Sequence, residues 1–414
     1  MSSAIGYKCM SCGFEKEMTD KITYICEKCN SNLEIVYDYS KIKEQATKKF
    51  FEENKNYNMF RYSHFYPLEE NTKKSPLQVG WTPLYKTESL GKKYGCPNLY
   101  IKDEGKNPSG SLKDRAGSIA LAKSFEFKAK KVAGASTGNA GSSMACLCAS
   151  VGISPIIFVP KTAPKAKIAQ LLLYGAKVIA VNGTYDMAFD LCHDICEKYG
   201  WFNRNTGYNP FTREGKKSCS FEICEQLGWK APDWVVVSVG DGNIISGIWK
   251  GFKDLYSVGL IDKLPKICAA QSEKSNAVVK SVKNSTLDNI KIETISATTL
   301  ADSISVDLPR DGIGAVKAVL ESNGTCVEFS DEKILEALKE ISSMTGIFTE
   351  PAGSASVAGF KELAKQDIFK ENETIVCIAT GNGLKDVDSA MKVAGTPHIT
   401  EPSIEEAIKV IQES

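Results

Sequence analysis

Lys113 stands in the first turn of a helical pattern, directly after the small-residue loop Asn107-Pro108-Ser109-Gly110-Ser111-Leu112. A cation there opposes the helix macrodipole by about 0.3 kcal/mol or more. A neutral amine, or one tied up as an imine, removes the conflict, which makes Lys113 a candidate for covalent and proton-transfer chemistry. Ser136-Thr137-Gly138-Asn139-Ala140-Gly141 opens a second helix. Its backbone N–H groups and hydroxyls can hold a carboxylate at the positive helix end, leaving Asn139 free to bond a ring hydroxyl. In Gly240-Asp241-Gly242-Asn243-Ile244 two glycines permit the close backbone approach that phosphate cradles need. In Ala379-Thr380-Gly381-Asn382-Gly383-Leu384-Lys385-Asp386 they allow a turn that brings Thr380 against a ligand. Each loop taken alone also fits a plainer account: a solvated lysine after an N-cap serine, an N-cap turn, or a tight connection between elements.

The elements that must position these loops follow from periodicity. Short β-branched runs predict strands at Asn98 to Lys102, Lys131 to Ala135, Pro155 to Val159, Lys177 to Val181, Trp234 to Val239, Lys266 to Gln271 and Thr374 to Ile378. Helical patterns lie between them, among them Lys113 to Phe127, Ala140 to Val151, Ala166 to Tyr174 and Lys333 to Thr345. Alternation of this kind predicts an α/β fold with a largely parallel sheet, whose ligands gather at the carboxyl ends of the strands. Pro108, Pro160, Pro210 and Pro351 are expected in connecting loops, and Asp38 to Lys74 as a helical connector.

The chain has 414 residues, enough for two domains and an appendage, and a formal charge of +1. That balance offers no field for nucleic acid or an anionic membrane and suits a small zwitterionic substrate. No stretch reads as a signal peptide or membrane span, which points to the cytoplasm. Of 14 cysteines, Cys9-x2-Cys12 and Cys26-x2-Cys29 form two close pairs. Four thiolates so spaced suit a tetrahedral structural zinc in a segment too short for a core. The others, such as Cys146, Cys148, Cys192, Cys196 and Cys377, read as reduced core thiols.

Taken in order, NPSGSLKDR, STGNAG, GDGNI and TGNGLKD resemble motifs of the fold-type II pyridoxal phosphate (PLP) enzymes, most closely the threonine synthase branch. The match extends through GWTPLY (80–85), EGKK (214–217), EPAGSASVA (350–358) and the cysteine-bearing N-terminus. The resemblance implies two open twisted α/β domains, a large PLP-binding one at 38–105 and 206–414 and a small one at 106–205, plus an N-terminal zinc-ribbon-like segment at 1–37. It implies Lys113 as the imine-forming acid/base, Asn139 at the cofactor 3'-oxygen, Gly240, Asp241, Gly242, Asn243 and Ile244 at its phosphate, and Thr380 at the ring nitrogen. A homodimer is expected.

The family's segment before EGxK reads approximately NPxRxEG, with an arginine that meets the substrate phosphate. Here Thr212 holds that place, Gly207 replaces the upstream serine, and Asp241 is unusual in a phosphate cradle. Arg213 and Lys216 are the candidate replacements for the missing cation, with Ser136, Thr137, Gly138 and Asn139 as neutral substrate donors. The expected activity is threonine synthase, O-phosphohomoserine and water giving threonine and phosphate. The alternatives are a β-replacing synthase of the cysteate synthase kind, a threonine/serine dehydratase-like lyase, and a zinc-ribbon interaction protein that no longer catalyses.

Overall fold

A computed structural model describes residues 2–413, and among them the strands form three sheets. The largest has six strands in the order Thr325–Phe329, Lys266–Ser272, Trp234–Ser238, Ile375–Ala379, Leu99–Asp103 and Leu84–Lys86, parallel except for the last. Its central strands Trp234–Ser238 and Ile375–Ala379 are buried at every position. Helices cover both faces, so near-continuous Val, Ile and Ala replace alternation. A second, four-stranded parallel sheet runs Lys177–Val181, Ile156–Pro160, Val132–Ala135, Phe202–Asn203.

Each strand expected from the sequence is present to within a residue or so, which places all four loops at carboxyl strand ends. Thr325–Phe329, Leu84–Lys86 and the two-residue Phe202–Asn203 were not expected; they are edge strands, short or only half buried, and carry a weak apolar signal. Pro160 ends a strand and Pro351 opens the helix Pro351–Ala364, not the connecting loops expected for them. Both positions tolerate a missing N–H. Asp38 to Lys74 forms two short helices and a 3-10 stretch instead of one connector.

The third sheet is the N-terminal ribbon, Glu15–Glu17, Ala4–Cys9 and Leu33–Tyr37, all antiparallel. It docks through polar contacts that reach far along the chain. Leu33 O accepts from Arg213 Nη1 at 2.8 Å, Ile35 O from Lys250 Nζ at 2.9 Å, and Tyr37 Oη donates to Glu214 at 2.5 Å.

Helix Lys113–Glu126 is fixed to the large sheet by a buried ion cluster. Arg115 bonds Glu104 at 2.7 Å and Glu222 at 2.6 Å, and Lys102 bonds Glu222 at 2.8 Å, all four side chains being 0% exposed. Glu222 also accepts from the N–H groups of Trp81 (2.7 Å) and Thr82 (3.1 Å). The GWTP turn therefore belongs to the scaffold. Gly80 is required there, with φ +81° and no room for a Cβ, which would lie 2.6 Å from Glu222 Oε1.

Candidate active site

The loop before Lys113 runs beside the Thr380 loop. Leu112 N–H donates to Thr380 O and Asn382 N–H to Gly110 O, both at 2.9 Å. From the other side Glu350 N–H donates to Gly381 O at 3.0 Å. Lacing three segments in this way leaves a pocket whose walls include Lys113, Asn139, Glu350, Thr380, Ser238 and, from the glycine loop, Gly240, Asp241, Gly242 and Ile244.

Of the residues singled out by sequence, Lys113, Asn139, Gly240, Asp241, Gly242, Ile244 and Thr380 line this pocket. Thr137 and Gly138 line an adjoining cleft, which shares Asn139, Ser303 and Glu350 with it. Ser136 Oγ accepts from Gly138 N–H at 3.3 Å within its own turn. The glycine loop leads into helix Asn243–Ser257. Its backbone packs so closely that a Cβ on Gly242 (φ +89°) would lie 2.5 Å from Asp311 O, and one on Gly240 2.9 Å from Ile304 Cα. The Asn243 side chain is buried behind the loop, donating to Asp311 at 2.7 Å and accepting from Lys216.

Burial dominates the electrostatics. It pushes the Lys113 ammonium toward its neutral form, and the Arg204 charge adds to this against Asp241 and Glu350. Lys216 is pushed well down, by burial and then by Lys113. Burial also opposes the charge of Asp241, but Lys113 and Lys216 outweigh it and hold its carboxyl below the usual range. Glu350 is raised by burial, against the hydrogen bonds that Asn139 Nδ2 gives it at 2.8 and 3.1 Å.

Arg213 does not line the pocket, contrary to its expected place at the substrate. Its Nε and Nη2 donate to Asp311 at 3.1 and 2.7 Å, and its Nη1 goes to the ribbon. The helix Phe211–Lys216 turns consecutive side chains about 100° apart, so Arg213 and Thr212 face different neighbours. Glu350, Ser238 and Ser303 line the pocket and were missing from the expected site. Glu350 opens the EPAGSASVA segment, a signal that was available; Ser238 and Ser303 lie outside the motifs read from the sequence.

Residues 76–381 match the family described as pyridoxal-phosphate dependent enzyme. The chain belongs to this family. It is 38% identical over 391 residues to a threonine synthase of Methanocaldococcus jannaschii, covering 94% of this chain and 95% of that one. It is 36% identical over 399 residues to a threonine synthase of Methanosarcina acetivorans, covering 96% of each. Among solved structures, a processed threonine deaminase isoform 2 from Solanum lycopersicum superposes with a TM-score of 0.65 at 26% identity, covering 75% of this chain and 86% of that one. The diaminopropionate ammonia lyase of Escherichia coli shares the fold, with a TM-score of 0.64 at 17% identity over 86% of this chain and 91% of that one.

The residues present fit PLP. A buried amine, a glycine cradle at a helix N-terminus and the buried Ser238 hydroxyl, which has no partner among the described residues, suit a phosphorylated ring that bonds covalently to lysine.

The four N-terminal cysteines also converge. Cys9 and Cys29 sulfurs lie 3.4 Å apart, Cys12 and Cys26 3.7 Å, and all four within 4.8 Å of one another. Four sulfurs at ~2.3 Å from a tetrahedral zinc lie about 3.8 Å apart, so the set could hold such a metal. Among the described residues no helix is long and apolar enough to cross a membrane.

Proposed function

We propose that this chain is a threonine synthase, releasing phosphate from O-phosphohomoserine and adding water to give threonine. The end-to-end alignment with threonine synthases at 36–38% identity carries the reading, and the pocket supports it. Bound PLP supplies an electron sink that acidifies protons on the carbons of the amino acid joined to it. Lys113, whose burial favours the free amine, is the base and acid that moves those protons, first at Cα and then at Cβ. The N–H groups of the Gly240–Ile244 loop, at a helix N-terminus, would hold the cofactor phosphate. Asn139 would meet the ring oxygen and Thr380 the ring nitrogen. A neutral hydroxyl there does not stabilise a protonated ring, which favours elimination and replacement over transamination. The Thr137–Asn139 turn would take the substrate carboxylate.

Incubating the holoenzyme with phosphohomoserine, phosphoserine, serine and threonine tests the assignment. Threonine and phosphate formed in equal amounts from phosphohomoserine support it. Reaction of phosphoserine, serine or threonine alone replaces it with the β-replacing or lyase reading.

The division into a ribbon (1–37), a large lobe (38–105 and 206–414) and a small lobe (106–205) that closes on substrate is part of this proposal, as are a homodimer and a cytoplasmic location. So is one structural zinc on Cys9, Cys12, Cys26 and Cys29. Metal analysis giving one zinc per chain supports that site, and folded protein with four titratable thiols in the ribbon and no metal removes it.

A further inference from the structure

Asp241 puts an acid in a turn whose glycines suit a phosphate. The helix Asn243–Ser257 starts after Gly242, which has no side chain to take the open N–H groups of the first turn. Asp241 Oδ1 takes one of them, accepting from Asn243 N–H at 3.0 Å. The carboxylate therefore lies at the positive end of a 15-residue helix, where an anion is stabilised.

Its position is held from behind. Asp311 N–H donates to Asp241 O at 2.7 Å, and the buried Asp311 carboxylate accepts from Asn243 Nδ2 at 2.7 Å, so one residue pins the chain on both sides of Gly242. Asp311 is itself held by Arg213. The front of the turn faces the pocket, which Asp241 lines together with Lys113 and Ser238. The Ser238 hydroxyl is buried with no partner among the described residues, and a donor left so is costly unless a ligand completes it. An unpartnered hydroxyl, a helix N-terminus and a lysine around one cavity suit an anionic group, yet one N–H of the set is already engaged by the chain's own carboxylate.

We propose that Asp241 is an internal competitor for the cofactor phosphate, its carboxylate engaging an N–H of the cradle and holding PLP affinity below what the loop could provide. The phosphate must either displace the carboxylate from Asn243 N–H or do without that donor. In both cases a negative charge stays beside a dianion. Occupancy of Lys113 then follows the concentration of free PLP. The inference rests on the cofactor of the family and is independent of the substrate, so its test uses no phosphohomoserine.

Full-length protein freed of cofactor, parent or Asp241→Asn, is titrated with PLP, with pyridoxal, which lacks the phosphate, and with inorganic phosphate. The visible band of the lysine-bound ring follows the first two, and calorimetry the third. Asn keeps an oxygen able to accept from Asn243 N–H and removes only the charge. Asp241→Asn should bind PLP and phosphate roughly 2- to 30-fold more tightly, the range of a carboxylate's interaction with a helix N-terminus, and pyridoxal with parental affinity. Equal tightening for pyridoxal overturns the inference, because the effect then runs through the Lys113 amine. Unchanged or weaker binding of PLP and phosphate overturns it too and makes Asp241 a support of the cradle. If Asp241→Asn does not fold, Asp241→Ser must still raise PLP affinity relative to pyridoxal, and a parental ratio there overturns the inference. If PLP gives no band with the parent while phosphate binds the variant more tightly, the competition stands and the cofactor reading falls.

Discussion

Lys113 and Arg115 are buried basic side chains two residues apart on one helix, in opposite circumstances. Arg115 meets Glu104 and Glu222 in short, multiple hydrogen bonds, and every charged member of that cluster has its complement. Lys113 feels two other basic groups, Lys216 and Arg204, with Asp241 and Glu350 opposing, and burial drives it toward the neutral amine. A complete cluster fixes the geometry of the scaffold. An incomplete one is strained until ligands arrive, and its shifted proton affinities are the ones useful for chemistry.

The largest expected effect comes from removing the reactive member of the incomplete cluster. Lys113→Ala should lower turnover at least ~10³-fold, since one amine both tethers the cofactor and moves the protons. Borohydride reduction and peptide mapping should find the cofactor on Lys113 in the parent and on no lysine in the variant. Stability of the cofactor-free chain should not fall.

Breaking the complete cluster should do the reverse. Glu222→Ala leaves Lys102 buried without its ion-pair partner and Arg115 with Glu104 alone, and should cost about 3–5 kcal/mol in urea unfolding. Glu222, held at about 2 by Arg115 and Lys102 against the effect of burial, also sets an acid limit. Its contribution is complete above its ordinary value of 4.5 and is lost as pH falls from there toward 2.

Arg213→Ala should behave as a scaffold variant, because its partners are Asp311 and the ribbon. We expect about 3 kcal/mol lost in unfolding, with KM for phosphohomoserine little changed. A raised KM with stability unchanged would return Arg213 to the substrate.

The smallest effect has the opposite sign. Burial raises Glu350, so ionising it in the folded, cofactor-free chain is unfavourable once pH exceeds its ordinary value of 4.5. Glu350→Gln should therefore stabilise that chain at neutral pH, a gain that disappears as pH falls below the ordinary value of 4.5. Urea midpoints at pH 7 and pH 4 would show it.

The same contrast explains what could be read from the sequence. Lys113, the glycine cradle and Thr380 stand in loops between strongly periodic elements, so pattern and motif located them. Arg204 and Arg213 are indistinguishable by composition. What separates them is that Asp311, 98 residues beyond Arg213, supplies its complement, while Arg204 Nε and Nη2 find no acceptor among the described residues. Pairing over such distances is fixed by packing and leaves no local signal. The edge strands escaped notice for a related reason, since runs of two to five residues, very short or only partly buried, carry little alternation.

The ribbon's docking contacts bear on how the chain is made. Leu33 O and its partner Arg213 are 180 residues apart. At translation rates of about 5–20 residues per second, the ribbon leaves the ribosome roughly 10–40 s before its docking surface exists. In that interval its three short strands have no core to rest on, and closure of the four cysteines on the zinc proposed above would let the segment wait folded.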